Sequence, residues 1–183
     1  MPHPTGPARR AWRAAAILAG VALLAACGGG EEKASDPAAE DYARELPAGF
    51  EALPASARLD FPQNPRAECN AITTRIVFRS AFEWESFWQG NAPECPVPSA
   101  GAIDWNRDML AFVTLGERKA AEDRVTLVGK RETADSLILM VRRTTLQEGC
   151  RGTPQANYPR SLARLPRSDK SVRFSEEHRK LPC

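Results

Sequence analysis

The chain has 183 residues, 25 Lys and Arg against 23 Asp and Glu, and a formal net charge of +2. That length leaves room for one modest domain beyond a leader and a tether. With only His3 and His178 present, a metal centre would have to be built almost entirely from carboxylates or thiolates, which argues against one, and no glycine-rich phosphate loop or cofactor fingerprint occurs. No metal and no cofactor are therefore expected.

Arg9, Arg10 and Arg13 form a basic start, and Ala14 to Ala26 is an apolar, small-residue run too short to span a bilayer as a mature helix. Residues 1–26 read as a signal peptide. The run ends in Leu24-Ala25-Ala26-Cys27, which resembles the lipobox of bacterial lipoproteins. The resemblance implies a diacylglyceryl thioether on Cys27, cleavage before it, and palmitate-type acylation of the new N-terminus. Several acyl chains hold a protein stably to a membrane where one is marginal. The expected location is the cell envelope, where nucleic acid is not a partner. Gly28 lacks the aspartate associated with inner-membrane retention in some Gram-negative bacteria, which favours the periplasmic side of an outer membrane.

Charge is uneven beyond the anchor. Residues 27–60 carry 3 basic and 8 acidic side chains, a net of −5, whereas residues 118–183 carry 15 and 8, a net of +7. Residues 27–66 read as an acidic tether and arm broken by Pro37, Pro47, Pro54, Pro62 and Pro65. Gly28 to Asp41 has too few apolar groups to offset the entropy of ordering. Phe50, Leu53, Leu59 and Phe61 are expected to pack as an irregular arm along the domain.

The domain proper, residues 67–183, is expected to begin folding near Cys69. Ile72 to Arg79 predicts a strand. Ser80 followed by Glu83 is a capping-box pattern, and Trp84, Phe87 and Trp88 recur at helical spacing, so Ala81 to Gln89 predicts a short helix stopped by Gly90 and Asn91. Core packing explains these aromatics better than a sugar platform, because the spacing puts all three on one face. After a proline-rich loop, Met109–Leu115, Arg124–Lys130, Ser136–Thr145, Leu162–Leu165 and Val172–Ser175 predict strands. Alternation at Val125 and Leu127, and at Val172 and Phe174, fits antiparallel sheet with one wetted face, and Leu137 to Val141 fits a central strand buried on both faces. The fold class is mainly β, a mostly antiparallel β-sandwich or half-barrel, with one short N-terminal helix.

Cys69, Cys95, Cys150 and Cys183 remain after the anchor, an even number in an exported chain, and read as two disulfides with three pairings open.

The order of these pieces carries a resemblance. A strand, Ser80–Trp88 (SAFEWESFW), a loop, Ile103–Arg118 (IDWNRDMLAFVTLGER), two strands, Glu148–Cys150 (EGC), Leu165–Phe174 (LPRSDKSVRF) and a final cysteine together resemble the PrcB C-terminal domain family of bacterial lipoproteins, named for a subunit of a protease complex. Trp84 and Trp88 match its helix aromatics, Asp104 with Trp105 an Asp-aromatic turn, and Gly116 the glycine that ends the most apolar strand. Relatives commonly follow that glycine with a TGGY turn, whereas this chain reads Glu117-Arg118-Lys119-Ala120-Ala121-Glu122-Asp123. The resemblance also implies the pair Cys150–Cys183, and with it Cys69–Cys95.

Catalysis is poorly provided for. A Ser-His-Asp arrangement would need His178, which lies in the charged stretch Glu176 to Lys180, and the carboxylate pairs Asp104 with Asp108 and Glu122 with Asp123 sit where turns explain them. No catalytic residue is assigned. The expected role is a non-catalytic binding or accessory module that holds or stabilises another envelope protein, with a protease complex implied by the resemblance alone. Candidate partner-binding residues are Gly116, Glu117 and Arg118 in one loop and Arg151, Asn157, Tyr158 and Arg160 in another. The alternative is a structural lipoprotein whose basic last third, notably Arg142 and Arg143, meets lipid head groups or cell wall.

Overall fold

The apolar runs fold, in the computed structural model, into two stacked sheets with a helix on the outer face of one of them. The structure describes residues 41, 42, 44–61, 64 and 66–183. Residues 1–40, which the sequence reads as signal peptide, lipid-anchor cysteine and tether, lie outside the described residues. The strands are β1 (Glu51–Ala52), β2 (Arg58–Leu59), β3 (Thr73–Phe78), β4 (Asp108–Leu115), β5 (Arg118–Ala120), β6 (Arg124–Glu132), β7 (Ser136–Leu146), β8 (Pro154–Asn157), β9 (Arg160–Pro166) and β10 (Ser171–Leu181), with helix α1 (Ala81–Asn91) after β3.

One sheet has the order β1-β6-β7-β10 and the other β2-β9-β4-β3, while β5 and β8 form a separate two-stranded ribbon. The chain is mainly β, mostly antiparallel, and no barrel closes. Between the sheets, Met109, Ala111, Val113 and Leu115 of β4 meet Val125 and Leu127 of β6 and Leu137, Leu139 and Val141 of β7. The alternate residues of β4, Leu110 and Phe112, face α1. So β4, rather than β7, is the strand covered on both faces along its apolar length, since every residue from Met109 to Leu115 is buried. In β7 the side chain of Ile138 is only half-buried.

Helix α1 starts where the sequence predicts. Ser80 Oγ accepts the Glu83 N–H at 3.1 Å, and the Glu83 carboxylate reaches back to the Arg79 N–H. The helix runs through Gly90 to Asn91 instead of stopping at Gln89. Trp84 and Trp88 are 2% and 3% exposed and stack edge-on with each other, with Phe78 and Phe87 beside them. Trp84 Nε1 donates to the Pro98 carbonyl at 2.8 Å, which fastens the proline-rich loop over the helix.

Two further sequence expectations change. The arm does not merely lie along the domain: β1 pairs with β6, β2 pairs with β9, and Leu53 is 2% exposed within the inter-sheet core. The packed chain thus reaches back to Asp41 instead of starting near Cys69. At the other end, β10 pairs parallel to β7 over eleven positions, Ser171 with Ser136 through Leu181 with Leu146. The charged stretch Glu176 to Lys180, left out of the predicted strand, is an edge strand, where exposed Glu176, His178 and Lys180 discourage further pairing while Glu177 pairs with Arg142 and Arg179 with Asp41.

Both disulfides are present, Cys69–Cys95 and Cys150–Cys183. The first ties the turn before β3 to the loop after α1. The second ties the turn after β7 to the chain end.

Candidate functional site

The two candidate loops, more than thirty residues apart in sequence, meet as the β5–β8 ribbon, with Arg118 opposite Asn157 and Ala120 opposite Pro154. Asn157 works inside the ribbon: its Nδ2 donates to the Asp123 carbonyl at 2.6 Å and to that of Ala121 at 3.3 Å. The Glu122 carboxylate accepts the Thr153 N–H at 3.0 Å and the Thr153 hydroxyl at 2.7 Å. These bonds, the Thr153 N–H first, hold the Glu122 carboxyl below the ordinary glutamate range. A group whose folded pKa is lowered supports structure above its unfolded pKa and loses that support as pH falls through the folded one. The Thr153 amide resonance should therefore shift on acidification with a midpoint below the ordinary glutamate value. A midpoint at or above that value would remove the bond from the account.

Gly116 turns the chain from β4 into the ribbon with φ of 65°. A Cβ there would lie 2.6 Å from Thr73 Oγ1 and 2.8 Å from the Ala71 carbonyl oxygen. Left-handed backbone and a backbone clash combine, so Gly116→Ala should lower stability by about 1–3 kcal/mol in urea unfolding. Glu117 and Arg151 are exposed, and Arg118 and Tyr158 are half-buried. Tyr158 lines a cleft of about 320 Å³ with Phe61, Asp123, Arg124 and Arg160.

Arg160 also reaches beyond the ribbon. It is half-buried, its Nη2 donates to Asn70 Oδ1 at 2.6 Å, and its guanidinium stands 5.4 Å from the centre of the Phe61 ring. Asn70 is itself buried and held by its own bonds, Nδ2 to the Asn64 and Arg66 carbonyls at 2.7 and 3.1 Å. Burial pushes the Arg160 pKa down. Among the described residues no carboxylate pairs with it. The same arginine lines a cavity of about 490 Å³ walled by Leu59, Phe61, Trp88, Leu162 and the Cys95 to Gly101 loop.

Three further sequence assignments can be placed. His178 is exposed on β10, 3.6 Å from Glu176. Asp104 accepts the Asn106 N–H through Oδ1 at 3.1 Å, and its carbonyl accepts the Arg107 and Asp108 N–H groups, a turn before β4. Arg142 corrects the lipid-surface reading. It is 0% exposed on the outer face of β7, donating to the Asp41 and Glu45 carbonyls and to Glu177, while its neighbour Arg143 is half-buried. A side chain closed off from water cannot meet a head group.

Sequence reasoning picked Arg160 as a loop contact and missed its partners Asn70 and Phe61. Only the adjacency of Asn70 to Cys69 hinted that this turn is pinned. No family model matches this chain, and neither curated proteins nor solved structures provide a match. The described residues form a two-sheet β-sandwich with an aromatic helix layer, a braced ribbon and an apolar cavity beside Arg160.

Proposed function

We propose that this chain is an envelope lipoprotein anchored through Cys27, whose β domain is a non-catalytic accessory module holding or stabilising another envelope protein. The β5–β8 ribbon carries this reading. Two loops chosen for contact chemistry are a single preorganised element, braced by Asn157 and Glu122 and set beside the Cys150–Cys183 disulfide. Each ribbon strand has one edge without a β partner among the described residues, a form of backbone that partner strands can extend. Rigid loops lose less entropy on binding than mobile ones. The likeness of the motif order to the PrcB C-terminal family is what points to a protease complex as the class of partner. A lipid head-group role would have to use arginines other than Arg142.

The test is in-cell photocrosslinking of the lipidated protein from Lys119 or Gln155, both exposed on the ribbon. One dominant envelope protein joined from both positions is the expected result. Adducts spread over abundant lipoproteins, equal to those from the distant exposed Arg173, would end the accessory-module reading.

A further inference from the structure

We propose that the cavity beside Arg160 is a binding site for a small amphipathic carboxylate, with the acid group on Arg160 and an aliphatic chain along Trp88, Leu59 and Val97. This site is separate from the ribbon and does not depend on the partner reading.

Three observations converge on it. The cavity holds about 490 Å³, within the range of small-molecule sites, which combine mostly apolar walls with a few placed polar groups. Its walls are apolar: Leu59, Phe61, Trp88 and Leu162 belong to or pack on the aromatic core, and Val97 at the rim is one of two large hydrophobic residues left exposed among those described. The cation at its side is partly desolvated, aimed by a buried asparagine, and has no anion of its own.

A guanidinium held this way has lost part of its hydration without a compensating charge. A ligand carboxylate supplies that charge through a charge-assisted bond. Asp60 also borders the cavity, but it is exposed and makes no ion pair with Arg160. Its presence disfavours dianions and leaves a single negative charge as the best fit. Cys69 and Cys95 both line the cavity, so their disulfide keeps the loop wall against the core. The hydroxyl and amide groups needed to bind a sugar are sparse: Asn70 is fully engaged, Ser99 Oγ already accepts the Gly101 N–H, and Asn64 Oδ1 accepts the Arg66 N–H.

The experiment uses the chain from Gly28 to Cys183, without the leader and the lipidated cysteine, which avoids detergent, and titrates it calorimetrically with decanoate below its micellar concentration. Decanol and decyltrimethylammonium are the comparison probes. Decanoate should bind saturably at one site, about tenfold or more tighter than either, the factor expected for a hydrogen bond to a charged group. Arg160→Met should remove that preference while leaving decanol binding unchanged. Because Arg160 is half-buried, a second variant guards against misfolding: Val97→Trp, at a position 37% exposed, should block all three probes without moving the urea midpoint. Equal affinity for decanol and decanoate, no effect of Arg160→Met in a folded protein, or no saturable binding would each overturn the proposal. So would tighter binding of a capped Leu-Leu peptide with a free C-terminus than of decanoate, which would make the site a reader of protein termini.

Discussion

Replacing Asp41 by Ala should cost about 3–5 kcal/mol of stability, the range for removing one partner of a buried charge network. Asp41 is 0% exposed and plugs the outer face of the β1-β6-β7-β10 sheet. Its Oδ1 accepts from Thr144 Oγ1 at 3.1 Å and Arg179 Nη1 at 2.9 Å, and its Oδ2 accepts from Thr126 Oγ1 at 3.4 Å with Arg124 Nε 3.6 Å away. Three strands, β6, β7 and β10, each contribute a cation to this face. Without the carboxylate, Arg124 loses its ion pair, Arg179 loses one of its partners, and two threonine hydroxyls lose their acceptor. Arg142 would keep its bonds to the Asp41 and Glu45 carbonyls and to Glu177.

Asp41→Asn keeps an acceptor but no charge, so it should fall between Ala and the parent. Urea unfolding followed by tryptophan fluorescence reads both variants, because Trp84 and Trp88 lie in the core. A loss below about 1 kcal/mol for Asp41→Ala would show that the arginines find water or other anions readily. The same network predicts that Arg142→Ser unfolds the sheet rather than loosening a membrane contact.

The second large effect is expected from the Cys150–Cys183 bridge. The two cysteines are 33 residues apart, and the chain-entropy model gives about 3–4 kcal/mol for a loop of that size. The bridge also secures a long edge strand whose pairing with β7 is parallel and whose end is otherwise held by a 2.8 Å bond from the Gln147 N–H to the Leu181 carbonyl. In the double Cys150→Ser, Cys183→Ser variant the urea midpoint should fall accordingly. Hydrogen exchange should speed up first at Glu177 to Leu181 and only later at β4. Uniform acceleration across both sheets would mean that the bridge constrains the unfolded chain and does nothing local. A stability within about 1 kcal/mol of the parent would contradict the loop-closure account.

The first of these effects sits where sequence reading was weakest, whereas the Cys150–Cys183 pair was already implied by the family resemblance. Alternation in β7 places Val141 in the core and Arg142 on the opposite face, and a local reading treats that face as solvent. What covers it is Asp41, 101 residues earlier, in a stretch whose acidity and prolines look like tether. Charge pairing at that distance leaves no periodicity to detect. The arm shows the same limit: Leu53 was legible as a large apolar residue, but β1 and β2 are two residues each, too short for any alternation to register.

The sequence by itself determined the local elements. Apolar period and turn residues placed β3, α1, β4, β6 and β7 within a few residues of their observed bounds, because side-chain period and caps are properties of neighbouring residues. The mainly β class and the burial of Trp84 and Trp88 followed from the same signals. Tertiary structure alone decided the parallel partner of β10, the joining of two loops into the β5–β8 ribbon, and the reach of Arg160 to Asn70 and a cavity. Each depends on which distant groups become neighbours once the core has closed, and burial of a charge or a hydrogen bond between remote residues acquires its energy only then.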